Sequence, residues 1–337
     1  MADLFLWGGE DTNTAGLALE MSFSANSPTV VASGRNGGSC LRCNSTNEQA
    51  HFTLPSAPST IHYGFAYRVE SMPSSVAALA TWSDATRTHL QLAITASGQL
   101  RFYRYNAAGI SIGLVTQIGG TGLQQLVPNV WYWLSGTITI DNTAGAASVY
   151  VNDVLDLDLT AQDTQNGGTA TIAMVGFAAG YGADIDFDDI TISDSGRPLD
   201  SRIACHTVTA NGTTRDFVPS AGSDDFAMVD DAASDGDATY LTTTTIGDMV
   251  TMGLADLAHA GATIESVQVV MVTRKLDASP CSLAPVLRID GVDNVGASHN
   301  PGTGYVAQRV TYMVQPDASA WNETDFNAME VGLTKVA

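Results

Sequence analysis

Lysine is nearly missing from this chain, standing only at Lys275 and Lys335, and glutamate occupies just positions 10, 20, 48, 70, 265, 323 and 330. The water-facing sides of helices are usually built from Lys, Glu and Arg, so their scarcity argues against a helical protein. No apolar run approaches the ~20 residues that a membrane-spanning helix needs. The opening Met1 to Gly9 has neither a basic start nor a long apolar stretch, so no secretory leader is expected there. Positive charge is also short: the formal net charge is −21 and the pI about 4.3. Phosphate backbones would be repelled, which disfavours nucleic acid as a partner.

Cysteine is equally sparse. Cys40 and Cys43 form a lone C-x-x-C, with Cys205 and Cys281 far away. A structural zinc site needs a second such pair or a pair of histidines, and neither follows. Buried thiols are the expectation for all four.

What the chain does have is 45% hydrophobic residues, only 15% charged ones, and 32 glycines. Its acid is nearly all aspartate, a residue suited to turns and strand ends. At 337 residues it is long enough for two cores.

Strands are legible directly. From Ile61 to Val69 the large apolar residues fall on odd positions, the period of a half-buried strand. Leu90, Leu92 and Ile94, then Ser97-Gly98, then Leu100 and Phe102 read as a hairpin. Trp131 to Ile140 makes another strand, with Trp131 and Trp133 on one face and assigned to the core. Leu155, Leu157 and Leu159 alternate with Asp156 and Asp158. Between Asp184 and Ile192 the apolar positions change from odd to even, which requires one extra residue, a β-bulge near Asp188-Asp189.

Ser195 to Asp200 reads as a linker, dividing the chain into residues 1–196 and 197–337. The second part shows strands near 266–273, 285–289, 305–314 and 328–333, with one helical turn near 322–326. The fold class is all-β, two β-sandwich, jelly-roll-like domains in tandem.

Leu6-Trp7-Gly8-Gly9, the run from Ser33 to Gly38, Gly64 to Arg68, Trp131-Tyr132-Trp133, Tyr150 to Asp153 and Asp188-Asp189-Ile190 follow one another in order. In that order the first part resembles the concanavalin A-like, laminin-G-like jelly rolls of tailed-phage structural proteins. Asp235 to Tyr240, Ser266-Val267-Gln268, Pro316 to Trp321 and Asn327 to Gly332 resemble the β-sandwich that often follows in them. The resemblance implies a non-enzymatic component of the virion exterior, most simply tail-associated as a fibre or adhesion part. A capsid decoration protein is the alternative placement, and a glycan hydrolase the alternative chemistry. The partners implied are other virion proteins, further copies of the chain in a closed homo-oligomer, and a host-surface glycan. Nucleic acid and membrane insertion are not expected.

Candidate chemistry is thin. Glycanases of this fold present paired carboxylates as E-x-D-x-x-E, a spacing that none of the seven glutamates supplies. Asp184, Asp186 and Asp188 alternate along one strand, and their face is expected in solvent. Gly109 to Gly113 matches G-x-S-x-G, but in a β context that lacks the strand-to-helix elbow. The histidines at 51, 62, 89, 206, 259 and 299 show no metal-ligand spacing. Asp230, Asp231, Asp235 and Asp237 surround Gly236 and could offer oxygens to calcium, the one cofactor considered. Arg101, Tyr103 and Tyr105 should point away from Leu100 and Phe102. They form a candidate binding or interface face, unless another strand or subunit covers them.

Overall fold

The computed structural model describes residues 3–8, 21–23, 28–44, 48–106, 116–179, 182–231, 234–258 and 261–337. It is all-β, and it divides into two compact units, Met1–Ala204 and Cys205–Ala337.

The first unit is two antiparallel sheets packed face to face. One runs Val154–Gln162, Gly145–Val151, Tyr132–Thr139, Thr60–Val69, Ile185–Ser193, Cys40–Cys43 and Thr29–Val31, with Asp3–Trp7 also paired to Ile185–Ser193. The other runs Thr116–Ile118, Leu100–Arg104, Thr88–Ile94, Ala77–Ser83, Met174–Ala178, Gln49–Thr53 and Ser22–Phe23. Alternation along each strand sends one set of side chains between the sheets. Tyr63 thus meets Trp82 at 5.1 Å between ring centroids, and Phe65 meets Phe177 at the same distance. The 90–94/100–102 hairpin forms as expected, with Leu92 opposite Phe102 and Ile94 opposite Leu100.

The bulge also lies where the change of parity put it. Asp188 pairs with Ala66 and Thr191 with Gly64, so three steps on one strand oppose two on the other. Asp189 absorbs the extra residue at φ +49°.

The expectation of a solvated acidic face on that strand was wrong. Every residue of Ile185–Ser193 is buried, Asp186 completely, and Asp184 just before it is half-buried. The strand lies inside its sheet, and its outer face is roofed by side chains from distant segments. Arg42 and Arg68 both donate to Asp186. Asp188 accepts from the Arg35 and Asp189 backbone N–H groups, at 2.8 Å each. Asp189 accepts from the Ile203 N–H at 2.8 Å.

That last contact belongs to a first unit that reaches Ala204, eight residues beyond the boundary at 196 read from the sequence. Residues 197–203 strap the outer face of the eight-stranded sheet. Arg197 donates to Ser135 and Asp153 and stacks on Tyr150, while Asp200 accepts both Arg35 Nη groups. Trp133 is fully buried here, yet on the outer face and not in the sandwich core, since it pairs with Ala66. Trp131 is only half-buried, with the Arg68 guanidinium 4.7 Å from its ring centre, so its assignment to the core fails.

In the second unit a five-stranded antiparallel sheet runs Val208–Arg215, Met249–Leu254, Glu330–Lys335, Leu283–Ile289 and Val292–Val295. Two-stranded ribbons, Val267–Thr273 with Val306–Tyr312 and Val218–Pro219 with Leu241–Thr242, accompany it. Val267, Leu287, Ile289, Trp321, Phe326 and Met329 form its main core. The helical turn is Glu323–Ala328, and the Asn322 side chain caps it by accepting from the Asp325 N–H at 3.0 Å. Four strands and this turn match the sequence reading. Val208–Arg215, Val218–Pro219, Leu241–Thr242, Met249–Leu254 and Val292–Val295 were missed.

Cys40 and Cys43 are buried as expected, but three residues apart on one strand they face opposite sides of the sheet. Burial pushes the Cys40 thiol up to about 12. Cys205 is exposed and Cys281 half-buried, so the expectation of burial fails for these two.

Candidate ligand-binding face

The outer face of the seven-stranded sheet is the feature that fold stability alone does not explain. Trp82, Phe177 and Phe52 point into the core, so their neighbours Thr81, Gly176 and His51 point away from it. Pairing brings these neighbours into one row across the sheet. Ser22 is opposite His51, His51 opposite Gly176, Gly176 opposite Thr81, Thr81 opposite Gln91, Gln91 opposite Tyr103, and Tyr103 opposite Gln117. The end members Ser22 and Gln117 are exposed. Those between are buried: His51 is 7% exposed, Thr81 1% and Gln91 0%.

Buried polar atoms normally find partners. Three in this row have none: His51 Nδ1, Thr81 Oγ1 and Gln91 Nε2. The other ends of two of these side chains are held. His51 Nε2 lies 3.0 Å from Gln49 Oε1, and since that oxygen only accepts, Nε2 carries the proton and Nδ1 presents a lone pair. Burial holds the His51 imidazolium form down, which leaves the ring neutral. Gln91 Oε1 accepts from the Tyr105 hydroxyl at 2.5 Å, so its NH₂ points elsewhere.

Gly176 makes the space between His51 and Thr81. A methyl group there would sit 2.5 Å from Thr81 Oγ1 and 2.8 Å from His51 Nδ1. Both unpartnered atoms are therefore aimed at the same small volume above the glycine. No charged side chain belongs to the row.

Of the residues singled out from the sequence, Tyr103 is in the row and Tyr105 orients one of its members. Tyr103 is 8% exposed and Tyr105 2%, so this face is not an open aromatic platform. Arg101 is half-buried and its Nε donates to Thr121 Oγ1 at 3.0 Å. The acidic loop of the second unit does not converge. Asp237 is taken up by Arg274 and by the Tyr305 hydroxyl, and Asp235 accepts from Thr239. Asp231 is 3.4 Å from the same Thr239 hydroxyl, and Asp230 is exposed. Among the described residues no group of three or more His, Cys, Asp or Glu side chains could hold a metal ion, so the calcium reading gains no site. Gly109 to Gly113 and His259 lie outside the described residues.

No family model and no curated protein matches the chain. Among solved structures it is similar to a sialidase, at 10% identity and a TM-score of 0.40, over 58% of this chain and 19% of that one. It is also similar to an alginate lyase, at 13% identity and a TM-score of 0.35, over 51% of this chain and 84% of the lyase. A third is a carbohydrate-binding module from Bacillus subtilis, at 12% identity and a TM-score of 0.32, over 52% and 93% respectively. The likeness is one of fold. The chain spans less than a fifth of the sialidase's length.

Sequence reasoning missed His51, Thr81, Gln91 and Gly176. The only local signal was polar residues alternating with apolar ones along three strands, as on any wet sheet face. Their meeting depends on pairings such as Gly176 with Thr81, 95 positions apart.

Proposed function

We propose that this chain is a non-enzymatic structural protein of a phage particle's exterior, tail-associated, serving assembly and attachment to a host-surface glycan. The observation that carries the non-catalytic part is the state of the buried carboxylates on the strand Ile185–Ser193. A glycan-cleaving site needs one acid free to give a proton and another free to attack or to activate water. Asp186 is instead bound by two guanidinium groups, and Asp188 and Asp189 are each held by backbone N–H groups. These acids stitch strands and strap together.

The virion placement is supported by the ordered set of turn and strand-end motifs that resemble phage jelly-roll proteins. Repeated copies on a particle would pack through sheet faces and loops in a closed ring. Electron microscopy of particles labelled with an antibody to this chain tests the placement. Label on the tail is the expected result. Label spread over the head would make it a decoration protein instead, and unlabelled particles would refute the virion assignment.

A further inference from the structure

We infer that Asn36 is a self-modification site: the Gly37 backbone nitrogen attacks the Asn36 side-chain amide, and the chain slowly gains a carboxylate beside Asp189. The inference does not depend on the virion assignment.

The sequence has three Asn-Gly pairs, Asn36-Gly37, Asn166-Gly167 and Asn211-Gly212. A glycine after asparagine carries no Cβ to shield its backbone nitrogen from the side-chain Cγ. The structure locks two of the three. Asn166 is 4% exposed, with its amide donating to the Thr88 carbonyl at 2.9 Å and its backbone N–H to His89 Nδ1 at 3.1 Å. Asn211 lies within Val208–Arg215. Its Oδ1 accepts from the Asp225 and Phe226 N–H groups at 2.7 and 3.2 Å, and its Nδ2 donates to Asp224 at 2.9 Å. Swinging either amide onto the next backbone nitrogen breaks these bonds.

Asn36 is held far less. It and Gly37 are exposed, in a turn closed by the Gly34 N–H donating to the Gly38 carbonyl at 2.9 Å. The Asn36 amide reaches Asp189 Oδ2 only at 3.4 Å, and the Gly37 nitrogen is 3.3 Å from the Gly34 carbonyl oxygen. Both separations exceed the usual range for such bonds. Gly37 has φ +92°, and a side chain there would meet nothing within 4 Å, so the turn has room to rearrange.

The step is a substitution followed by hydrolysis, with nothing oxidised or reduced. The Gly37 nitrogen gives up its proton and bonds to Asn36 Cγ. The Cγ–Nδ2 bond breaks, and Nδ2 leaves as ammonia with that proton. One water then opens the five-membered imide, at Cγ to give aspartate or at the main-chain carbonyl to give isoaspartate. Either product turns a donor facing Asp189 into a second carboxylate. Asp189 is 1% exposed and follows Asp188, and the nearby Arg35 already gives both Nη groups to Asp200. Repulsion between the two carboxylates works against the Asp189 contact that holds the Ile203 N–H.

The test is to hold the full chain at pH 8 and 37 °C, folded and in urea, and to follow the three sites by peptide mass spectrometry. Digestion in ¹⁸O water marks any conversion during handling. In urea all three should gain the mass difference between NH₂ and OH at similar rates. In the folded protein Asn36 should convert at least about tenfold faster than Asn166 or Asn211, whose amides must first break two or more hydrogen bonds. Equal folded rates at the three sites, or a folded Asn36 that stays intact while the urea sample converts, would overturn the inference.

Two variants read the consequence. Asn36→Asp carries the carboxylate from the start and should quicken amide exchange at Ile203. Asn36→Gln keeps a donor but would need a six-membered ring, so it should neither convert nor change that exchange. Unaltered exchange at Ile203 in Asn36→Asp would overturn the effect on the strap.

Discussion

Arg42 grips Asp186 with two parallel hydrogen bonds, Nε to Oδ1 at 2.7 Å and Nη2 to Oδ2 at 3.0 Å, across 144 residues of sequence. Arg68 donates to the same carboxylate from the neighbouring strand. The pair ties Cys40–Cys43 and Thr60–Val69 to Ile185–Ser193 on the face away from the core.

Asp186→Ala should therefore cost about 3 kcal/mol. That is the lower part of the range for breaking a buried ion pair, because the two stranded guanidinium groups are each nearly a fifth exposed and reach water. The midpoint of urea unfolding checks it. A loss under about 0.5 kcal/mol would mean that the pair is ornamental.

Asp189 sets a second expectation. Burial raises its carboxyl to about 6, against an unfolded value near 3.8, although the Ile203 N–H and Arg35 pull it down. A folded value above the unfolded one means that its contribution is fully present below about pH 3.8 and is lost as pH rises through 6. At about 1.4 kcal/mol per unit the loss is up to roughly 3 kcal/mol. Asp189→Asn keeps an oxygen for the Ile203 N–H, so it should be more stable than the parent at pH 8 and no more stable at pH 4. In that variant the buried histidines remain. Burial lowers His89, so its contribution is complete above about pH 6.5 and falls as the solution is acidified. Denaturant midpoints from pH 4 to pH 8 should accordingly rise with pH in the variant.

Truncating Arg197 should loosen the strap. Its guanidinium donates to Asp153 at 2.6 Å and Ser135 at 2.8 Å and lies 4.2 Å from the Tyr150 ring centre. Arg197→Ala should cost about 1–2 kcal/mol, since the site is only partly buried. Amide hydrogen exchange at Ile203 should quicken while exchange in the core strands stays unchanged.

Thiol labelling separates the four cysteines. Cys205 should react first and Cys281 more slowly, with Cys40 and Cys43 reacting only after unfolding. Fast labelling of Cys40 in the folded protein would contradict the packing of its strand.

Local pattern carried much of the fold and little of the site. Alternation located Thr60–Val69, Thr88–Ile94, Leu100–Arg104, Tyr132–Thr139, Val154–Gln162 and Ile185–Ser193 but not Cys40–Cys43, Gln49–Thr53, Ala77–Ser83 or Met174–Ala178, and a single change of parity placed the bulge at Asp188-Asp189, because both are properties of one strand. Whether the polar side of a strand is wet is not such a property. Asp186 reads as solvated until Arg42 and Arg68 arrive from 144 and 118 residues away. Gly196-Arg197-Pro198 has the composition of a linker, and only the reach of Arg197, Asp200 and Ile203 back to the sheet shows that it belongs to the first unit. The row over Gly176 was hidden in the same way, since its members come from separate strands and none is unusual alone.

The most direct test of the non-catalytic claim is to incubate the protein with host envelope glycans and measure release of reducing ends. The account predicts none above a buffer blank, from the parent protein or from Asp188→Asn. Release by the parent that disappears in Asp188→Asn, with unchanged melting, would contradict it.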